Sequence, residues 1–536
     1  MRLSLASLCC PSAAYFLHCS SASFALRRTL GARVEPSPAP HNSQDSTSKF
    51  AASPQKHKYT TLFPHPTTNP YHLCSQIMAI DTIPANDPTG AGVQIPSAFY
   101  PLVRPHARQL MDKLHKFVTE ECQPAAAVYH HQIQKGANRW KVVPAVMEEL
   151  KARAKSLGLW NLWMHSHYKE GAGLTNVEYG LMAEIMGHCH VASEACNCSA
   201  PDTGNMEVIA KYGTDEQKAT WLRPLMDGKI RSAFAMTEPG IASSDATNIG
   251  LSMKQEGNEW VLNGRKWWIS GAGDPRCKIY IVMGKSSPNA SSEYKKQSVI
   301  LVPADTPGVT VIRPLGVFGY DDAPEGHCEL LFENCRVPLK NMVLGEGRGF
   351  EIIQGRLGPG RIHHCMRSIG VAERALQLMI KRVVDPAKRQ KGKLLVEEGV
   401  ILARMADSRI HIDAARLMVL NAAAQIDLKD AKSALNQIAE AKVMVPAMAL
   451  QVVDHAMQAY GAEGICQDSE LPLMWAHLRT LRYADGPDES HQNQLGRIEA
   501  KKAKWIVPKF AAEDAARAQA FKKAGLSHLI NAKAQI

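Results

Sequence analysis

Residues 234–247 read FAMTEPGIASSDAT, and residues 260–272 read WVLNGRKWWISGA. The first stretch predicts a strand that ends in a loop of small hydroxyl residues, where backbone N–H groups and hydroxyls converge. In the second stretch, Asn263-Gly264 predicts a hairpin turn, and strand alternation places Trp268 and Ser270 on the same side. Such a loop beside an aromatic ring suits a polar, planar or phosphorylated ligand. Taken alone, each stretch is read more simply as a polar loop or a core tryptophan.

The sequence on both sides of these stretches predicts a β-domain over residues 231–345. Short apolar runs are separated by Gly, Pro, Asn and Asp, and they fall at 234–236, 260–262, 279–282, 299–302 and 329–332. Runs of this length with turn residues between them indicate antiparallel strands, because a βαβ series would place a helical pattern between successive strands.

Helical patterns precede and follow the β-domain. In the predicted N-terminal helical domain, 98–230, apolar residues recur every three or four positions from Val103 to Val118, and further helices are predicted at 142–154 and 177–186. Over 346–530, long helices are predicted at 369–384, 394–426, 434–460 and 492–522, with Pro446 expected to kink or end the third. The predicted fold class is therefore α+β multidomain: an N-terminal α-helical domain, a middle antiparallel β-domain and a C-terminal four-helix bundle.

Composition excludes several classes of function. A chain of 536 residues is too long for one hydrophobic core, and its 45% apolar and 21% charged residues are typical of a soluble globular enzyme. No apolar run reaches the roughly 18 residues that a membrane span requires. The net charge of +11 is not gathered into a basic stripe with aromatics, so we predict no nucleic-acid partner. No C-x-x-C pair occurs, and histidine pairs such as His363-His364 lack ligand-spaced partners, so no metal is predicted.

Residues 1–77 differ in composition from the rest of the chain. They are rich in Ser and Arg, contain no acid before Glu35, and carry a net charge of +5. This composition predicts a disordered leader that acts as a mitochondrial transit peptide. The alternative is a mis-assigned start, since Met78 offers a second beginning. The last residues are not a Ser-Lys-Leu address, and peroxisomal or cytoplasmic location remains the alternative to the mitochondrion.

The motifs together are more specific than each alone. Thr-Glu-Pro-Gly at 237–240 with a following Ser-Asp, and Asn-Gly-x-Lys-x-Trp-Ile-Ser at 263–270, resemble the flavin-binding signature of the acyl-CoA dehydrogenase family. The resemblance extends from Phe99 to beyond Arg497 and includes the domain order. Residues 242–249, 355–364 and 484–489 further resemble the subgroup of family members ten and eleven.

The resemblance implies FAD as the cofactor and assigns residues to it. The residues that would contact FAD within the chain are Phe234, Met236, Thr237, Ser243, Trp268, Ser270 and Gly486, with Thr237 and Ser270 near N5. Those that would reach the FAD of a neighbouring subunit are Arg389, Gln458 and Gly461. The pattern around Arg389 departs from the family, because Lys391 stands where Phe is expected and Gly399 where Gln is expected. For the acyl-CoA substrate, the resemblance implies Ser244 at the pantetheine or phosphate end and Arg361 on the CoA side.

The resemblance also implies the base of the reaction. In the family, a Glu followed by Gly lies in a loop between late helices; here Asp485-Gly486 occupies that place. Asp485 would therefore remove the α-proton, and its backbone N–H would help to hold the thioester oxygen. Aspartate is shorter than glutamate by roughly 1.5 Å, so the substrate must lie closer. Glu373 lies too far along the first bundle helix to act instead, and the alternative is that Asp485 is a surface acid beside Asp488 and Glu489.

The implied reaction is α,β-dehydrogenation of an acyl-CoA to trans-2-enoyl-CoA, with the β-hydride passed to flavin N5, in fatty-acid or related acyl catabolism. The expected partners are an electron-transfer flavoprotein as acceptor and further copies of the chain in a homodimer or homotetramer. Two alternatives remain: an acyl-CoA oxidase that uses oxygen, and a flavin-free scaffold of the same fold. The chain length, branching and hydroxylation of the acyl group stay open.

Overall fold

The computed structural model describes residues 94–133 and 136–530; the predicted leader, 1–77, lies outside the described residues. The first region is helical. Its helices are α1 (Pro105–Lys116), α2 (Gln123–Ile133), α3 (Ala145–Ser156), α4 (Asn176–Gly187), α5 (Ala192–Ala195), α6 (Asp202–Tyr212), α7 (Asp215–Gln217) and α8 (Arg223–Met226). A π-helical turn, Phe117–Cys122, joins α1 to α2. Helix α4 is buried along most of its length, which makes it the centre of this region.

The middle region is a single seven-stranded sheet. Its strands are β1 (Arg231–Ala235), β2 (Ser252–Glu256), β3 (Glu259–Ser270), β4 (Cys277–Lys285), β5 (Gln297–Pro303), β6 (Val309–Leu315) and β7 (His327–Pro338). The order is β1-β4-β2-β3-β7-β6, with β5 also paired to β4. The pairs β2–β3, β3–β7, β4–β5 and β6–β7 are antiparallel, whereas β1 runs parallel to β4.

Both faces of the central strands are buried, and alternation assigns each residue to one face. Along β4, Ile279 and Ile281 pack into the core shared with the helices, whereas Tyr280 and Val282 pack into a second core within the sheet. Burial on both sides explains why these strands read as continuous apolar runs and not as an alternating pattern.

The predicted hairpin turn at Asn263-Gly264 is wrong. Both residues lie inside β3, where a register shift occurs and Gly264 has φ +152°. A Cβ on Gly264 would lie 3.0 Å from Leu251 Cγ, so the glycine permits close packing at a bulge. The chain reverses earlier, between β2 and β3, where Gly257 has φ +59°.

The last region is again helical: α9 (Gly349–Val383), α10 (Gly399–Leu428), α11 (Leu435–Tyr460), α12 (Leu471–Thr480), α13 (Asp488–Lys501) and α14 (Ala503–Lys523). Helix α11 continues through Pro446, and the predicted helix 492–522 is two helices that meet at Lys502. Helix α9 packs against α4, α10 and α11 and so connects this region to the first.

The order of helices, sheet and helices confirms the predicted fold class. Among the described residues, no helix combines the length and apolar character needed to cross a membrane.

Candidate active site

The end of β1 is fastened to β3 at the Thr-Glu-Pro-Gly loop. The Thr237 hydroxyl donates to the carbonyl oxygen of Trp267, and the Trp267 N–H donates to the Thr237 carbonyl at 3.0 Å. The Ser243 hydroxyl accepts from the Glu238 N–H at 2.9 Å and donates to the Glu238 carbonyl at 3.2 Å. Ser243 thus closes the loop on itself, and the exposed Ser244 lies beside it. Their predicted contacts with FAD and acyl-CoA stay predictions.

A buried ion pair that the sequence analysis missed lies beneath this loop. Lys266 Nζ donates to the Met236 carbonyl at 2.7 Å and to Glu238 Oε1 at 2.8 Å. The Glu238 carboxylate also accepts from the N–H groups of Gly250 and Leu251. Burial lowers the pKa of Lys266 to about 8. One lysine therefore fixes β1, β3 and the segment before β2 relative to one another.

Trp268 and Ser270 meet at His327, the first residue of β7. The Ser270 Oγ lies 2.9 Å from His327 Nδ1, and the Trp268 ring centroid lies 5.4 Å from the imidazole centroid. Trp268 has φ +55° and its side chain is 42% exposed. An exposed indole beside a hydroxyl, with half-buried Phe234 and Met236 on the adjoining strand end, is a surface on which a planar aromatic ring can stack.

This surface is connected to the helices that carry Asp485. The Phe318 ring lies 5.4 Å from the Trp475 ring, and Asp322 Oδ1 lies 3.0 Å from His477 Nε2. Trp475 and His477 belong to α12, and Asp485 follows in the turn between α12 and α13. The loop that contacts α12 leads into β7 and His327, which packs against Trp268, and the turn that follows α12 carries Asp485.

The backbone of the Asp485 turn is held by cations from two helices. Arg361 Nε on α9 donates to the Asp485 carbonyl at 3.0 Å, and Lys442 Nζ on α11 donates to the carbonyls of Leu481 and Gly486. Asp485 and Gly486 have φ +57° and +104°, a left-handed geometry that is costly for a non-glycine residue. Arg361, predicted to contact CoA, here anchors the turn; its CoA contact stays a prediction.

The Asp485 side chain is paired with a histidine. Asp485 Oδ2 lies 3.0 Å from His364 Nε2, with the two side chains 17% and 20% exposed. His491 on α13 is buried and its Nε2 lies 3.4 Å from the Asp485 carbonyl oxygen. Burial lowers the pKa of His364 and brings that of His491 to about 4, so that both rings are neutral near pH 7.

The sequence analysis missed His364, Lys442 and His491 as partners of Asp485. A signal for His364 was present, because it follows Arg361 by three residues and so projects from the same face of a helix. Lys442 and His491 are distant in sequence, and no spacing in the chain connects them to Asp485.

The residues predicted to serve a neighbouring subunit lie elsewhere. Gln458 and Gly461 are at the C-terminal end of α11, where Arg382 Nη1 contacts Glu463 at 2.7 Å and Lys388 contacts the same carboxylate at 3.4 Å. Arg389 is exposed just beyond. Since α9 is continuous, Arg382 lies about 30 Å along the helix from Arg361, at 1.5 Å per residue. These residues are therefore remote from Asp485 of their own chain.

Family models match all three regions of the chain. Residues 104–229 match the model described as "Acyl-CoA dehydrogenase, N-terminal domain", 233–335 match the middle domain, and 347–499 match the C-terminal domain. Together they cover more than half of the chain.

Similar proteins include the subgroup named by the sequence motifs. The chain is 51% identical over 422 residues to "Acyl-CoA dehydrogenase family member 10" of Mus musculus, covering 78% of this chain and 39% of that protein. It is 49% identical over 396 residues to family member 11 of Gallus gallus, covering 73% and 50%. The chain thus spans half or less of these two relatives.

A bacterial relative and a solved structure match over nearly their full lengths. The chain is 48% identical to "Probable acyl-CoA dehydrogenase FadE2" of Mycobacterium tuberculosis, covering 73% of this chain and 95% of that protein. The structure of a putative acyl-CoA dehydrogenase from Mycobacterium abscessus is 46% identical, with a TM-score of 0.72 and coverage of 74% and 99%. The resemblance to members ten and eleven is confirmed, and the chain belongs to the acyl-CoA dehydrogenase family.

Proposed function

We propose that this protein catalyses FAD-dependent α,β-dehydrogenation of an acyl-CoA thioester to the trans-2-enoyl-CoA, with Asp485 as the base that removes the α-proton. The observation that carries the proposal is the Asp485 turn. The carboxylate is half-buried, lies 3.0 Å from His364, and belongs to a turn whose backbone Arg361 anchors. On the family resemblance, we assign Trp268 and Ser270 to the flavin that this carboxylate would face across the bound acyl chain. A partly exposed carboxylate that is fixed in one orientation is suited to abstract a proton from a bound ligand.

The residues around Trp268 fit a flavin. Trp268 offers an exposed aromatic face, and the Ser270 hydroxyl beside it can hydrogen-bond to a ring nitrogen. Phe234 lies at the end of β1, Met236, Thr237 and Ser243 lie on the loop that follows it, and Gly486 follows the base. When bound there, FAD supplies the acceptor for the β-hydrogen, which leaves as hydride.

The chain itself orients the substrate and holds the proton. The α-proton of a thioester is weakly acidic, so its carbonyl needs preorganised donors, and the backbone N–H of Asp485 is the donor that we assign. Asp485 receives the α-proton. Arg361 and Ser244 are assigned to the CoA portion, where a guanidinium and a hydroxyl suit phosphate oxygens.

The proposal is tested by anaerobic addition of acyl-CoAs of several chain lengths to the purified yellow protein. We expect loss of the flavin absorbance with at least one of them, and no loss in the Asp485→Asn variant. The matched control is Glu489→Gln, which removes an exposed acid four residues later and should leave bleaching intact. Full activity in Asp485→Asn would contradict the assignment of the base. A colourless protein that does not take up FAD would favour a flavin-free scaffold.

We assign an electron-transfer flavoprotein as the electron acceptor, on the family resemblance. Reduction of that protein, or of an artificial acceptor, at the expense of acyl-CoA is the expected result. Stoichiometric hydrogen peroxide from oxygen with no acceptor protein present would select an acyl-CoA oxidase instead.

We also propose that the protein is a homodimer or homotetramer. Helix α14 has no buried residue, and it leaves Trp505 and Phe510 each 58% exposed. Aromatic side chains exposed along one helix are typical of a surface that another chain covers. A second copy would also bring Arg389, Gln458 and Gly461 to an FAD that their own chain does not place near them. Light scattering should give a multiple of the chain mass, and a monomer with full activity would contradict this.

For localisation we propose the mitochondrion, on the composition of residues 1–77. A role in fatty-acid or related acyl catabolism is proposed on the family resemblance. A fusion of these residues to a fluorescent protein should be imported into mitochondria. A diffuse or peroxisomal signal would contradict the proposal.

A further inference from the structure

His364 lies between Asp485 and a second cation on its own helix. His364 Nε2 is 3.0 Å from Asp485 Oδ2, and His364 Nδ1 is 3.2 Å from Arg367 Nη2. Arg361, His364 and Arg367 are three residues apart on α9, and each is half-buried, whereas the positions between them are buried. The three side chains therefore form one strip of the helix that faces the junction with the Asp485 turn.

The contacts of His364 determine which of its two ring nitrogens carries the hydrogen. A guanidinium only donates, so His364 Nδ1 must accept from Arg367 and carries no hydrogen. The ring is neutral near pH 7, because burial lowers its pKa, and its one hydrogen is therefore on Nε2. Nε2–H donates to the Asp485 carboxylate. Both ring nitrogens are engaged, so His364 cannot itself take a proton from a ligand while these contacts hold.

The other charged or titratable groups around the pair come from three elements. Arg361 of α9 contacts the Asp485 carbonyl, Lys442 of α11 contacts the next carbonyl, and His491 of α13 lies against the same turn. These groups hold the backbone of the turn, and the charges of Arg361 and Lys442 also interact with that of Asp485. The contact from His364 reaches the Asp485 carboxylate itself.

We propose that His364 is a positioning residue that orients the Asp485 carboxylate through the Nε2–H hydrogen bond, while Arg367 holds the imidazole in the donating tautomer. The proposal rests on the proposed function. An aspartate is one methylene shorter than the glutamate of the family pattern, so its reach depends on one rotamer of a short side chain. The His364 donor, fixed on α9, holds that rotamer and favours the ionised carboxylate that a base requires.

Two variants separate this role from a structural one. The amide of His364→Gln reaches about as far as Nε2 and keeps a neutral donor, whereas the amide of His364→Asn is one methylene too short. We expect flavin reduction at pH 7 to fall by about 10- to 100-fold in His364→Asn, in line with a lost positioning contact, and by less than about fivefold in His364→Gln. FAD content and the melting temperature should be alike in the two variants.

A readout independent of turnover is the infrared band of the protonated carboxyl, followed against pH with Asp485→Asn as the blank. Loss of a hydrogen bond to a carboxylate should move the midpoint of this band upward by about one to two pH units in His364→Asn and by less than half a unit in His364→Gln. The acid limb of the pH–rate profile should move in the same direction.

Unchanged midpoints in His364→Asn, or His364→Gln as impaired as His364→Asn, would overturn the proposal. If His364→Asn does not fold, His364→Leu replaces it with the same expected shift. If none of the acyl-CoAs tested lowers the flavin absorbance of the wild-type protein, the proposed function is refuted. The infrared test of the His364–Asp485 contact does not depend on that result, so the two failures are distinguishable.

Discussion

The buried pair Lys266–Glu238 gives the sharpest prediction about what holds the Thr-Glu-Pro-Gly loop at 237–240. Lys266 is fully buried and Glu238 is 10% exposed at the side chain, and their 2.8 Å contact is reinforced by the Met236 carbonyl. The substitution Lys266→Met keeps the apolar stem of the side chain and removes the cation. It leaves the Glu238 carboxylate buried, with only the N–H groups of Gly250 and Leu251 as partners.

The expected loss of stability follows from the Glu238 carboxylate that stays buried without its cation. Removing one partner of a buried ion pair typically costs about 3–5 kcal/mol, because the other charge stays in a medium that solvates it poorly. Neutralising both partners should recover most of this loss, so the double variant Lys266→Met/Glu238→Gln is expected within about 1–2 kcal/mol of the wild type. The control Lys254→Met removes an exposed lysine of β2 and should change the free energy of unfolding by less than about 0.5 kcal/mol.

The assay is urea unfolding followed by tryptophan fluorescence, with retained FAD measured on the same samples. We expect Lys266→Met to unfold at lower urea and to lose FAD, and the double variant to regain both. A single variant within about 1 kcal/mol of the wild type would refute the reasoning, as would a double variant that is no better than the sum of the two single changes.

Two further predictions concern the helices. At Gly370, α9 crosses α4 so closely that a Cβ would lie 2.0 Å from the Glu184 carbonyl oxygen. The substitution Gly370→Ala should therefore lower the free energy of unfolding by more than about 3 kcal/mol. The control is Gly360→Ala on the same helix, where a Cβ meets nothing within 4 Å and no loss of stability is expected. Equal stability of the two variants in urea would contradict this. His491 has a pKa of about 4 in the folded chain, so between pH 6.5 and 4 it binds a proton in the unfolded chain but stays neutral in the folded one. The free energy of unfolding should therefore fall by about 2–3 kcal/mol over this range. The substitution His491→Gln should make this fall smaller. An identical slope in thermal unfolding of the variant would show that His491 is not the cause.

Much of the fold could be predicted because buried faces of helices and strands place apolar residues at regular spacings in the sequence. The runs at 279–282 and 299–302 are β4 and β5, and the pattern at 434–460 is α11. The hairpin at Asn263-Gly264 was wrong because a turn-forming dipeptide also serves where a strand needs a bulge, and only the partner strand decides between the two. Pro446 did not end α11, since packing on neighbouring helices outweighs the loss of one backbone donor.

The site was predictable to the extent that it is local. Asp485, Trp268 and Ser270 were assigned from short motifs that resemble those of the family, and their roles stay predictions. The residues that contact the Asp485 turn were not predicted, because they come from three helices that meet only in the folded chain: His364, Lys442 and His491. The burial of Lys266 was not predicted for the same reason, because the sequence around a lysine does not show whether the folded chain buries it.

The central claim, that the Asp485 carboxylate removes the α-proton, is tested most directly by hydrogen exchange at the substrate. Acyl-CoA deuterated at C2 is incubated anaerobically with the enzyme, and loss of deuterium to water is followed by mass spectrometry. The account predicts exchange in the wild type and in Glu489→Gln, and a rate at least about 1000-fold lower in Asp485→Asn, the order expected for loss of a general base. Exchange in Asp485→Asn at the wild-type rate would show that another group takes the proton.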